Sequence, residues 1–141
     1  MKRIVSVLFA LAMVVTTTST VYAQCSNATL TGNYPFILSG SNAPAHSVTG
    51  KNTFGNASVG VLTFDGAGTV TASYTVVFNG HATSTSVPDT GTYTVNSDCT
   101  GTTTDPTNGT HFNIVTVGGG AEVFGIETDE GFTVTFVAKK Q

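Results

Sequence analysis

After its third residue the chain contains no arginine, and three lysines (Lys51, Lys139 and Lys140) stand against eight carboxylates. Nucleic-acid binders need clustered cations to displace counterions from phosphates. Without such clusters, nucleic acid and anionic membrane surfaces are set aside as partners. Charged residues make up 9% of the chain, so solubility falls to Thr, Ser and Asn. Helical periodicity is missing after residue 23. The longest apolar run, Ile4 to Val15, is too short to cross a bilayer.

The first 23 residues read as a secretory signal. Lys2 and Arg3 form a short positive segment, Ile4–Val15 the apolar segment, and Val21-Tyr22-Ala23 the small-residue site for cleavage after Ala23. A membrane anchor or buried helix is the competing reading. Cys25 lies just beyond the cut, but Gln24 stands where a lipid-attachment site wants Gly or Ala. Cleavage would leave residues 24–141 as one secreted domain of 118 residues with a net charge of −5. No stable membrane insertion is expected of that domain.

The two cysteines, Cys25 and Cys99, are expected to pair in an oxidising compartment, with two free thiols as the alternative. A bridge would close a loop of about 75 residues and contribute about 4 kcal/mol by the chain-entropy relation.

Short alternating runs recur about every ten residues between turn signals, which is the pattern of an all-β sandwich or barrel. Tyr34–Leu38 is the first strand, with Pro35 placing it at a sheet start or edge. Residues 39–56 read as a long polar loop. Ala57–Phe64 and Thr69–Phe78 flank an Asp65–Gly68 turn. Val70, Ala72, Tyr74, Val76 and Phe78 share one face of the second of these, and threonines and Ser73 the other. Asn79-Gly80 suits a hairpin. Gly91–Val95, Thr102–Thr104, His111–Val117, Glu122–Thr128 and Phe132–Ala138 follow, separated by Asn96–Gly101, Asp105–Gly109, Gly118–Gly120 and Asp129–Gly131. These are about eight antiparallel strands in up-and-down order. A closed barrel of the calycin type is preferred over a two-sheet sandwich, because it leaves no edge exposed.

The run VGVLTFDGAGTVTASYTVVFNG (59–80) and GTYTVNSDCTGT (91–102), with the opening GNYPFILSG (32–40) and the closing VAKKQ (137–141), resembles a family of short secreted bacterial proteins of uncharacterised function. That resemblance covers nearly all of the chain beyond the signal. It implies a barrel similar to allene oxide cyclase and the calycin group. Its motifs are turn glycines, core aromatics and a turn cysteine, and they name no reaction; no cyclase catalytic residue aligns with this chain. A bacterial source would leave the sequons at Asn27, Asn56 and Asn108 unmodified.

Recognisable catalytic motifs are scarce. His46, His81 and His111 show no metal-ligand spacing. There is no G-x-S-x-G elbow. Gly118–Gly120 leads into a strand and offers no helix N-terminus for phosphate, so it reads as a flexible hairpin loop. Glu122, Glu127, Asp129 and Glu130 cluster near the last hairpin as a solvated acidic end, without the loop pattern of a Ca²⁺ site. No cofactor is implied.

Glu122 shares a strand face with Phe124 and Ile126. If that face is interior, its carboxyl sits among apolar side chains with a raised pKa; if the opposite face is interior, Glu127 takes that place. A barrel of this size either fills its interior or holds one small ligand. The candidate interior ligand-binding residues are Tyr74, Tyr93, Phe112, Glu122, Phe124 and Phe136. The first functional expectation is non-enzymatic binding of an apolar small molecule or surface component. The alternatives are a cyclase or isomerase similar to allene oxide cyclase, and a structural or adhesive subunit using Thr-rich outer faces. Oligomeric state is left open.

Overall fold

Alternation of apolar and polar residues, punctuated by Gly, Asn and Asp, yields eight strands: β1 (Thr31–Asn42), β2 (Phe54–Asp65), β3 (Thr69–Phe78), β4 (His81–Val95), β5 (Thr100–Asp105), β6 (Thr110–Val117), β7 (Glu122–Glu127) and β8 (Phe132–Lys139). The computed structural model describes residues 24–42, 54–105 and 109–141. The proposed signal at 1–23, His46, Lys51 and the Asn108 sequon lie outside the described residues.

Each strand pairs antiparallel with its sequence neighbour, and β8 pairs with β1, so the sheet closes into a barrel. The sandwich alternative is thereby removed. Closure also accounts for Pro35. Pairing of β1 with β8 begins at Phe36↔Ala138, so the proline, which has no N–H to give, falls just outside that ladder.

Residues 39–42 and 54–56 belong to β1 and β2, which correct the reading of 39–56 as a loop; 43–53 lie outside the described residues. Polar Ser39, Ser41 and Asn42 masked a strand whose inward parity simply continues from Tyr34. Strand β4 is likewise longer than Gly91–Val95. Ala72 pairs with Asp89 but Tyr74 with Thr85, and Pro88 lies in the stretch skipped by this register shift. A proline and a bulge together hid the strand. Asn79 (φ 46°) and Gly80 (φ 83°) close the β3–β4 turn as expected.

One end of the barrel is a packed core. A 3₁₀ turn, Asn27–Thr29, covers this end and delivers Leu30 into it with no exposed surface. Tyr34, Phe64 and Tyr93 stack edge to face at centroid distances of 5.1 and 5.0 Å, the geometry aromatic quadrupoles prefer. The Tyr34 hydroxyl donates to the Gly120 carbonyl at 2.6 Å, and Tyr93 donates toward the Asn27 and Leu30 carbonyls at 3.0 and 3.1 Å. The Asn27 side chain accepts from the Val95 N–H at 2.8 Å. Cys25 is disulfide-bonded to Cys99, Cα to Cα 5.0 Å, and fastens the covering segment to the β4–β5 turn.

Gly118–Gly120 is pinned here, contrary to its reading as a flexible loop. The Gly120 carbonyl accepts from Tyr34, its N–H donates to Val117, and a Cβ at Gly120 would collide with the Thr29 carbonyl.

The outer face also departs from expectation. Cross-strand pairing aligns Val115, Phe124, Val137, Ile37 and Val59 in one row across β6, β7, β8, β1 and β2. Ile37 and Val59 are each 62% exposed. Threonine therefore dominates only part of the outside.

Candidate functional site

Away from the packed end, the barrel interior opens into a cavity of about 400 Å³. It lies toward the end where β1, β3, β5 and β7 finish, with Asn42, Phe78, Phe132 and Thr110 around its mouth. The interior is thus core in one half and pocket in the other. A volume of this order is within the range of small-molecule sites.

The wall is built by parity. Counting inward positions along β3 gives Val70, Ala72, Tyr74, Val76 and Phe78, all of which line the cavity as their alternation requires. Strand β1 contributes Phe36, Leu38 and Asn42, and β2 contributes Asn56, Ser58, Leu62 and Phe64. Phe36 meets Tyr74 edge on at 6.2 Å, and Phe112 meets Phe136 at 5.4 Å.

Strand β7 decides the carboxylate question. Val123, Gly125 and Glu127 point inward and are buried, whereas Glu122, Phe124 and Ile126 point outward. The cause is steric. Gly125 pairs with Phe136, whose ring occupies the space where a Cβ at 125 would stand. A phenylalanine on that face would compete for the same volume, so Phe124 takes the outside.

Of the six candidate interior residues, Tyr74, Phe112 and Phe136 line the cavity. Tyr93 is buried in the packed end below it. Glu122 and Phe124 are corrected to the outer face, where Glu122 pairs with Lys139 at 2.8 Å.

Glu127 is 8% exposed and lies among the cavity-lining residues. Burial in this largely apolar wall, reinforced by the negative charge of Asp129, raises its pKa from 4.5 to about 7. Asp129 is itself held low by the His111 backbone N–H and ring, at 2.8 Å each, on the outer rim. Two acceptors stand on the same wall: Asn42 Oδ1 and Asn56 Oδ1 are buried, line the cavity and lack partners.

Sequence reasoning missed the two asparagines and Ser58. Parity counted back from Phe64 through Leu62 and Gly60 would have turned Ser58 and Asn56 inward. Among the described residues, no group of three or more His, Cys, Asp or Glu side chains is placed to hold a metal ion. His111 is engaged with Asp129 outside the barrel, and His81 is exposed at the start of β4.

No protein-family model, curated protein or solved structure matches the chain.

Proposed function

We propose that the protein is a secreted barrel that binds one apolar small molecule without transforming it. The observation that carries this reading is the cavity of about 400 Å³, walled mainly by Phe, Leu, Val and Tyr and joined to a rim bearing Phe78 and Phe132. Apolar wall left unfilled forgoes contacts that a ligand would restore. The Cys25–Cys99 disulfide is compatible with export to an oxidising compartment. The signal-like first 23 residues and the resemblance to small secreted bacterial proteins support the same address.

The test is native mass spectrometry of protein purified from its own source, paired with titration by a neutral naphthylamine dye. A retained small molecule, or saturable dye binding lost in the cavity-filling variant Ala72→Phe, is the expected result. A folded protein that retains nothing and binds no dye overturns the proposal.

One observation favours a second reading, an isomerase or cyclase similar to allene oxide cyclase. The carboxyl of Glu127 is an available general acid or base in the same cavity. A binding protein returns the retained molecule unchanged. An isomerase converts it to a product of equal mass and different chromatographic retention, and Glu127→Gln stops the conversion.

A further inference from the structure

Three acceptors open on the cavity: the buried Glu127 carboxyl and the side-chain carbonyls of Asn42 and Asn56, the two carbonyls without partners. Their places in the sheet can be read from the strand registers. Phe112 pairs with Glu127, Val134 with Gly40, Gly40 with Asn56, and Asn56 with Phe78. Since Ile126 pairs with Thr135, Glu127 falls in the same row as Val134. Glu127 and Asn56 therefore lie in one cross-strand row of the sheet, three strands apart, and Asn42 is the next inward position beyond Gly40 toward the mouth. Among the described lining residues Glu127 alone carries a formal charge, and none is basic. Aromatic rings of Phe36, Phe112, Phe132 and Phe136 make up much of the remaining wall.

Such a wall selects against carboxylate ligands. An anion there would meet the Glu127 carboxylate with no cation to offset it, only the neutral amide and hydroxyl donors of residues such as Asn42, Asn56, Ser58 and Thr110. It suits a ligand that brings N–H donors and a positive charge on an apolar body. The carboxylate supplies a charge-assisted hydrogen bond, which is stronger than a neutral one, and the aromatic rings accept a cation on their faces. We infer that the cavity takes a hydrophobic amine, bound as its ammonium form with Glu127 as counter-ion and the Asn42 and Asn56 carbonyls as further acceptors. This rests on the cavity being a binding site.

The groups that surround Glu127 set the pH behaviour. On its own side of the barrel Asp129 adds negative charge from the β7–β8 turn, with His111 of β6 bound to it outside. Thr110 and Phe112 of β6 and Phe132 and Val134 of β8 bring no charge. In the empty barrel Glu127 titrates near 7, so a ligand that needs its ionised form binds more tightly as pH rises from 6 to 8. The competent fraction falls to about a tenth one pH unit below that value, so affinity drops about tenfold.

The experiment compares octylamine, octanol and octanoate, one apolar body with three head groups, by calorimetry at pH 6 and pH 8 on the purified protein and on Glu127→Gln. Octylamine is expected to bind about tenfold or more tighter than octanol at pH 8, with octanoate the weakest. That preference disappears in Glu127→Gln, while octanol binding persists and shows that the variant is folded and its cavity open. Equal binding of all three, or octanoate the tightest, overturns the amine assignment and leaves the cavity as a site for neutral or acidic molecules. Failure of all three to bind the folded wild-type protein overturns the binding-site reading itself.

Discussion

Replacing Glu127 by Gln should remove a pH dependence of stability from the protein. In the folded state the carboxyl titrates near 7; its ordinary value is 4.5. Below 4.5 it is protonated in both states and carries no linkage. Between 4.5 and 7 the folded state holds the proton more tightly than the unfolded chain, so stability falls as pH rises through this window and then levels. At 1.36 kcal/mol per pH unit the full interval corresponds to about 3 kcal/mol. Solvent admitted through the cavity mouth screens the buried charge, which reduces the expected loss to about 1–2 kcal/mol. The variant is neutral throughout and avoids that loss. Urea denaturation of both proteins from pH 4 to 9 measures it, with the Asp129–His111 pair common to both and cancelling in the difference. Equal stability is expected at pH 4, and a variant more stable by about 1–2 kcal/mol at pH 8.5, or a few degrees in Tm. Parallel curves across the window would refute the placement of this carboxyl in a low-dielectric wall.

Three other perturbations address the scaffold. Cys99→Ser opens a bridge spanning 74 residues and should cost about 4 kcal/mol, read from urea midpoints with and without reductant; an unchanged midpoint would contradict the bridge. Tyr34→Phe leaves the buried Gly120 carbonyl without its donor and should cost about 1–3 kcal/mol, with amide exchange of the β6–β7 loop accelerating first. Gly125→Ala drives a methyl group into the Phe136 ring and should cost about 1–3 kcal/mol through overpacking; in the double variant Gly125→Ala with Phe136→Leu, much of that loss should be recovered.

Strands with one apolar and one Thr-rich face were legible because alternation and core direction agree. Strand β3 is the clearest: its limits, Thr69 and Phe78, and its five inward residues follow from period two alone. Strand β8 behaves the same way, with Val134, Phe136 and Ala138 buried. Where the two signals part, the reading failed. The residues of β7, EVFGIE, offer a large apolar side chain to each face, so parity is blind there. The choice is made by the Phe136 ring from the neighbouring strand, a contact that one strand's sequence does not contain. In β1 and β2 the inward asparagines looked like loop residues, because polar groups are expected inside only when something is there to bond them. The packed end was legible only in part. The aromatic residues marked it as core, but the fastening of the Gly118–Gly120 loop depends on a tyrosine hydroxyl contributed 86 residues away in sequence.

The division of the barrel interior into a packed half and an open half, and the proposal that the open half binds a ligand, are tested most directly by a methyl-resolved NMR titration with octanol. Cavity binding predicts saturable shifts at Leu38, Leu62, Val70, Ala72 and Val76, with Ile37, Val59, Val115 and Ile126 on the outer face unmoved. Shifts confined to the outer row, or none at any concentration the solvent permits, would contradict it.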